Sequence, residues 1–92
     1  MILQTQKQKM LEMRSFLANF CVLLNNRMDN LKDKLYQNVA QGFPSDIAGY
    51  YEQAYYMPER QEIDHLIQKV QTEHYQYIDE VVSDIDAAMN RK

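Results

Sequence analysis

Ninety-two residues with no Trp, one Cys and a net charge of −3 allow one domain at most. A chain this short buries only roughly two-thirds of its unfolded surface, so two long helices alone make a thin strip that needs a partner. The lone Cys21 excludes an internal disulfide, and there is no basic stripe with interleaved aromatics to grip nucleic acid.

The first forty residues contain neither Pro nor Gly. Met10, Met13, Leu17, Phe20, Leu24, Met28, Leu31, Leu35 and Val39 recur in steps of three and four, which predicts a long helix over about 2–41. Phe16, Cys21, Leu23 and Tyr36 widen this apolar face beyond a narrow seam, implying contact with more than one neighbouring helix. Cys21, between Phe20 and Val22, reads as a buried reduced thiol. The apolar run 16–24 follows Lys7, Lys9 and Arg14 but contains Asn19, lacks a small-x-small cleavage site and is too short to span a bilayer. Synthesis in the cytoplasm without a cleaved leader, with no stable membrane insertion, is the expectation.

Gly42-Phe43-Pro44-Ser45-Asp46 is the strongest break in the chain. Gly42 suits the left-handed residue that ends a helix, Pro44 forbids continuation, and Ser45 or Asp46 can cap the next start. A short tyrosine-rich helix is expected over about 47–57, carrying Tyr50, Tyr51, Tyr55 and Tyr56, with Tyr51 and Tyr55 one turn apart. Pro58 either opens a fresh helix at its first turn or kinks a continuous one, and Glu59 and Glu62 favour the fresh start. The last arm, about 58–90, carries Ile63, Leu66, Ile67, Val70, Tyr77, Val81, Ile85 and Ala88 in the same rhythm, with His74 bridging the step to Tyr77. The first arm is net basic and the second net acidic, which suits antiparallel docking.

Little here points to chemistry. Glu62-x-x-His65 is the half-site of a di-iron bundle, but it occurs once and reads as a solvated first turn. His65 and His74 are about 900° apart around a helix and point in opposite directions, so no metal site is expected. The carboxylates of the last arm lack a desolvating surround, and neither a Gly-rich phosphate cradle nor a nucleophile elbow is present. No enzyme activity and no cofactor are expected. Tyr is favoured at interfaces because it buries a rigid ring while keeping a polar tip. Phe43, Tyr50, Tyr51, Tyr55 and Tyr56 at the bend are therefore candidate partner-binding residues, unless they cap the open end of the core. Leu17, Leu24 and Leu31 of the first arm join them as candidates.

The size, the two long helical arms and the aromatic-glycine bend resemble the small hairpin proteins of type VII secretion systems, with Gly42-Phe43-Pro44-Ser45-Asp46 in place of their Trp-x-Gly. Tyr75 to Asp79 formally matches that family's Tyr-x-x-x-Asp signal, here inside the last helix. The resemblance implies pairing as a four-helix bundle and a role in presenting cargo for export. Type III secretion needle subunits and chaperones offer a second likeness, at Pro44-Ser45-Asp46 and at Asp84-Ile85-Asp86-Ala87-Ala88.

The expected fold is all-α: an antiparallel helical hairpin with a short helix at its bend, forming a four-helix bundle on dimerisation. The expected function is a non-catalytic adaptor, chaperone or co-secreted partner, working as a homodimer or as a heterodimer with another helical protein. The alternative is a small regulator or inhibitor, phage-encoded for instance, that binds an enzyme or small ligand through the tyrosine-rich bend.

Overall fold

The computed structural model describes residues 2–91, and these are all-α with no strand among them. Helix α1 runs unbroken over Ile2–Ala40. It ends where Gly42 turns to a φ of +107°. There the Phe43 N–H donates to the Asn38 carbonyl at 2.9 Å and the Gly42 N–H donates to Val39 at 3.1 Å. This paired closure satisfies the orphan carbonyls of the last turn, and only glycine adopts its left-handed residue without strain.

The second helical stretch begins with α2, Ser45–Tyr51. Its capping differs from expectation, because Pro44 holds the N-cap position and neither Ser45 nor Asp46 makes a side-chain cap bond. The Pro44 carbonyl instead accepts the Ala48 N–H at 3.1 Å. A π-helical turn, Glu52–Tyr56, leads straight into α3, Met57–Lys69. Pro58 therefore lies one residue inside α3 within a continuous helical stretch, the second of its two expected alternatives, and the change of element falls at 56/57. A helical proline lacks an N–H and crowds the carbonyl four residues back, here that of Ala54. Ala54 lies inside the π turn, whose wider loop makes room for the ring.

A second π turn, Val70–His74, separates α3 from α4, Tyr75–Met89. It decides which residues form the core. Expected on the buried stripe, Tyr77 is 63 % exposed, while its neighbour Ile78 is 1 % exposed. A π turn takes up one extra residue, so eight residues instead of about seven return the chain to the same face. Val70, only 2 % exposed, and Ile78 are eight apart across this turn. Ala48 and Tyr56 are eight apart across the first π turn, and both are buried.

The chain sorts into two compact units, with α1 contributing to both. One comprises Met1–Cys21 with Ile67–Lys92, the other Val22–Leu66. In the first, Lys7 pairs with Asp86 at 2.8 Å and Arg14 with Asp79 at 3.0 Å. Seven residues forward on α1 match seven back on α4, so these two segments run antiparallel. In the second unit, the end of α1 doubles back through the Gly42 turn onto α2 and α3. Lys32 reaches Glu52 at 3.5 Å, and Arg60 donates to Asn25 Oδ1 at 2.8 Å.

The seam of α1 also differs from the apolar count. Met13 and Phe20 are exposed, whereas Arg14 is half-buried and Cys21 is buried. Lys7, Arg14, Cys21, Met28 and Leu35 are spaced by sevens, a heptad line on which two cations stand beside apolar residues. Arg14 fits because its aliphatic stem lies against the seam while its head reaches the carboxylate at the edge.

Candidate partner-binding surfaces

In the unit Val22–Leu66 the tyrosines cluster because of the π turn. Five-residue spacing is in line there, so Tyr55 meets both Tyr50 and Tyr51. The Tyr51 and Tyr55 rings lie 5.6 Å apart and tilted, and Tyr50 meets Tyr55 edge-on at 6.3 Å. These spacings are those of favourable aromatic pairs. All three rings are exposed, as is Phe43 in the turn. Tyr56 is the exception among the five candidates. It is 6 % exposed and belongs to the core, withdrawn from the exposed cluster.

The same unit brings Leu24 and Leu31 together. They line an open concavity of about 510 Å³ with Met28 and Ile63, edged by Arg27, Lys34 and Glu59. A polar cluster engages Tyr36, whose hydroxyl donates to the Glu52 carboxylate. That bond holds the phenol proton and pushes the Tyr36 pKa above its ordinary value, with desolvation and the Glu52 charge adding to it. Arg60 is the hub of a second cluster, with Asp64 at 3.2 Å and Asp29 at 3.6 Å. The contact between its Nη1 and Asp29 is ionic, too long for a hydrogen bond.

In the unit Met1–Cys21 with Ile67–Lys92, Arg14 is held from two sides. Its Nε and Nη2 donate to the two carboxylate oxygens of Asp79 at 3.0 and 3.3 Å. Its guanidinium carbon lies 4.2 Å from the Tyr75 ring centroid, a cation–π contact. The hydrogen bonds to Asp79 raise the Arg14 pKa, and those from Arg14 hold Asp79 below its ordinary value. Tyr75 and Asp79, the pair matching the Tyr-x-x-x-Asp signal, are thus both engaged on Arg14.

Away from the Arg14 pair, each helix of this unit also exposes apolar side chains among polar ones. Phe16 lies two residues after Arg14, and Tyr77 two before Asp79. Each is rotated about 200° from the ion pair. Since the segments are antiparallel, both steps move the same way along the helices and leave Phe16 and Tyr77 at one level. Phe16 is 65 % exposed and stacks on Phe20, with ring centroids 6.2 Å apart and planes at 13°. Met13 is exposed on the same helix, and Leu17 is half-buried. Ile2, Leu3, Ala88 and Met89 line a further open concavity of about 410 Å³.

Comparison of the chain with protein-family models, with curated proteins and with solved structures finds no match.

Of the eight candidate residues, the structure gathers Tyr50, Tyr51 and Tyr55 into one cluster and Leu24 and Leu31 into one concavity. Leu17 stands in the other unit and Tyr56 in the core. The Arg14 clamp was missed by counting apolar residues. The heptad line through Lys7, Arg14 and Cys21 is the sequence signal that finds it. Among the described residues, no three His, Cys, Asp or Glu side chains could share a metal ion.

Proposed function

We propose that this chain is a non-catalytic helical interaction protein, an adaptor, chaperone or co-secreted partner that holds another helical chain by packing, completing a four-helix bundle. The observation that carries this reading is the surface. Among the described residues, exposed large apolar side chains outnumber buried ones; in one unit Phe16 stacks on Phe20 in the open, and in the other Tyr55 meets Tyr50 and Tyr51. Stacked exposed rings mark interaction sites, since each ring loses little entropy when a partner covers it. A role in secretion rests on the resemblance of the bend and arms to exported hairpins. Synthesis in the cytoplasm fits this reading. No helix of the described residues is long and apolar enough to cross a membrane.

Light scattering of the chain alone, and mixed with helical proteins encoded beside its gene, tests the proposal. A stoichiometric complex heavier than the 11.0 kDa chain is expected. A well-packed monomer that takes no helical partner would count against it.

A second reading, a small regulator gripping an enzyme or ligand through the bend, is favoured by the exposed Tyr50–Tyr51–Tyr55 cluster. Replacing these three with Ser would then abolish inhibition of that enzyme while leaving helicity intact.

A further inference from the structure

We infer that the partner is an amphipathic helix of a different protein, acidic along one flank, seated in the concavity that Leu24, Leu31 and Ile63 line in the unit Val22–Leu66. The inference rests on the helix-packing reading above and names the partner's chemistry and its seat.

The α1 segment of this unit keeps a heptad rhythm, with Met28 and Leu35 at a and Leu24 and Leu31 at d. Residues at e and g flank such a stripe and select a partner by charge. Asn25 and Lys32 form the e flank, and the chain satisfies it from within. Arg60 donates to Asn25 Oδ1 at 2.8 Å, and Lys32 reaches Glu52 at 3.5 Å. Arg27 and Lys34 form the g flank, and both are exposed. Among the described residues, neither has an ion-pair or hydrogen-bond partner. One flank of α1 is thus closed by its own chain, and the other stands open and cationic.

The concavity beside the open flank measures about 510 Å³. Leu24, Met28, Leu31 and Ile63 give it an apolar lining, with Arg27 and Lys34 along the α1 edge and Glu59 on the α3 edge. Grooves of this kind take the apolar stripe of an added helix. Leu24 and Leu31 lie seven residues, about 10 Å, apart along α1, and so do Arg27 and Lys34. The matching occupant repeats its apolar side chains over two turns and carries a carboxylate beside each. Complementary charge then fixes which flank faces α1.

A second copy of this chain does not supply that helix. Acidic residues seven apart occur only as Glu52–Glu59, Glu73–Glu80 and Asp79–Asp86. Each pair already has a carboxylate engaged within the chain: Glu52 by Lys32 and Tyr36, Glu80 by Gln76, and Asp79 and Asp86 by Arg14 and Lys7. The occupant is therefore another protein.

Fluorescence anisotropy on the full chain, with two synthetic helical peptides, tests this. Both peptides carry Leu at a and d; one has Glu along one flank and Lys along the other, and the second has Lys along both. The first can present Glu to Arg27 and Lys34, and the second cannot. Wild type should bind the first about tenfold more tightly, with salt narrowing the difference. Arg27→Glu with Lys34→Glu, both at exposed positions, should reverse that preference and leave the circular dichroism unchanged. Leu31→Gln should weaken binding of the first peptide to wild type. Equal binding of the two peptides, or a preference that the double Glu variant keeps, would overturn the charge match. Binding to phosphatidylglycerol vesicles without binding to either peptide would give the groove to a membrane instead. A homodimer that the double Glu variant dissolves would give it to a second copy. A complex with a different helical protein that the double Glu variant leaves intact would overturn this inference and keep the proposed function standing. A chain that takes no helix at all would sink both.

Discussion

Val70 and Ile78, eight residues apart, lie on one buried line because the π turn between them absorbs a residue. With α-helical turns alone, seven residues would separate them and Tyr77 would take the inner position. The same relation joins Ala48 to Tyr56 across the first π turn. In each unit the π turn keeps the helix in phase with that unit's own core.

Deleting one residue inside the second π turn should therefore be tolerated. Removing Thr72, whose hydroxyl donates to the Gln68 carbonyl, converts the π turn to an α turn and keeps Val70 and the former Ile78 on one face. The melting temperature, followed by far-UV circular dichroism, should move by a few degrees at most. Deleting Ser83 instead rotates Ile85 out of the core and should cost about 1.5–3 kcal/mol, the value of burying one such side chain.

Tyr56 and Tyr55 should separate cleanly despite being neighbours. Tyr56→Ala empties a core position and should destabilise by about 3 kcal/mol. Tyr55→Ala removes exposed ring contacts and should cost about 1 kcal/mol or less. Chemical denaturation of the two variants measures both. Equal losses would place Tyr55 in the core as well.

Gly42→Ala tests the turn. A Cβ at position 42 meets nothing within 4 Å, so the substitution brings no clash. The cost is backbone strain alone, because a φ of +107° is unfavourable for any residue with a Cβ. A loss of about 1–2 kcal/mol is expected in denaturant unfolding, with native helicity kept.

The Arg14–Asp79 pair should give stability an acid limb. Its hydrogen bonds to Arg14 hold the folded Asp79 carboxyl below its ordinary value. A depressed carboxylate contributes stability that is present above the unfolded value, near about 3.9, and lost as pH falls through the folded value. Wild type should therefore melt above Asp79→Asn at neutral pH, and the gap should close below the ordinary carboxylate range. Both side chains are partly solvated, so salt should shrink the gap too. A gap that persists in strong acid would assign the effect to packing.

The sequence made much of this legible, and the misses share a physical cause. The long first helix, the left-handed Gly42 and the buried Cys21 follow from local rules that the rest of the fold does not override. The tyrosine-rich stretch beside the turn was readable, but composition left open whether its rings cap the core or stand exposed; Tyr50, Tyr51 and Tyr55 are exposed and Tyr56 is buried. Tyr77, Met13 and Phe20 were misplaced because hydrophobic counting assumes an α period and ranks Met above Arg. The π turn breaks the first assumption. Arg14 breaks the second, reaching Asp79 and Tyr75 from a seam position. Pro58 left two alternatives open, because the preceding π turn that lets the helix run on carries no plain sequence mark.

The heptad spacing of Lys7 and Arg14 sets a limit on misalignment. A seam of repeating greasy positions would accept α4 displaced by two turns almost as readily as in its native place. Such a displacement could set Lys7 opposite Asp79, but it would then leave Arg14 opposite the neutral Thr72. Only one alignment gives each cation a carboxylate, so the two charges act as index pins that reject sliding isomers which oily contacts alone would admit.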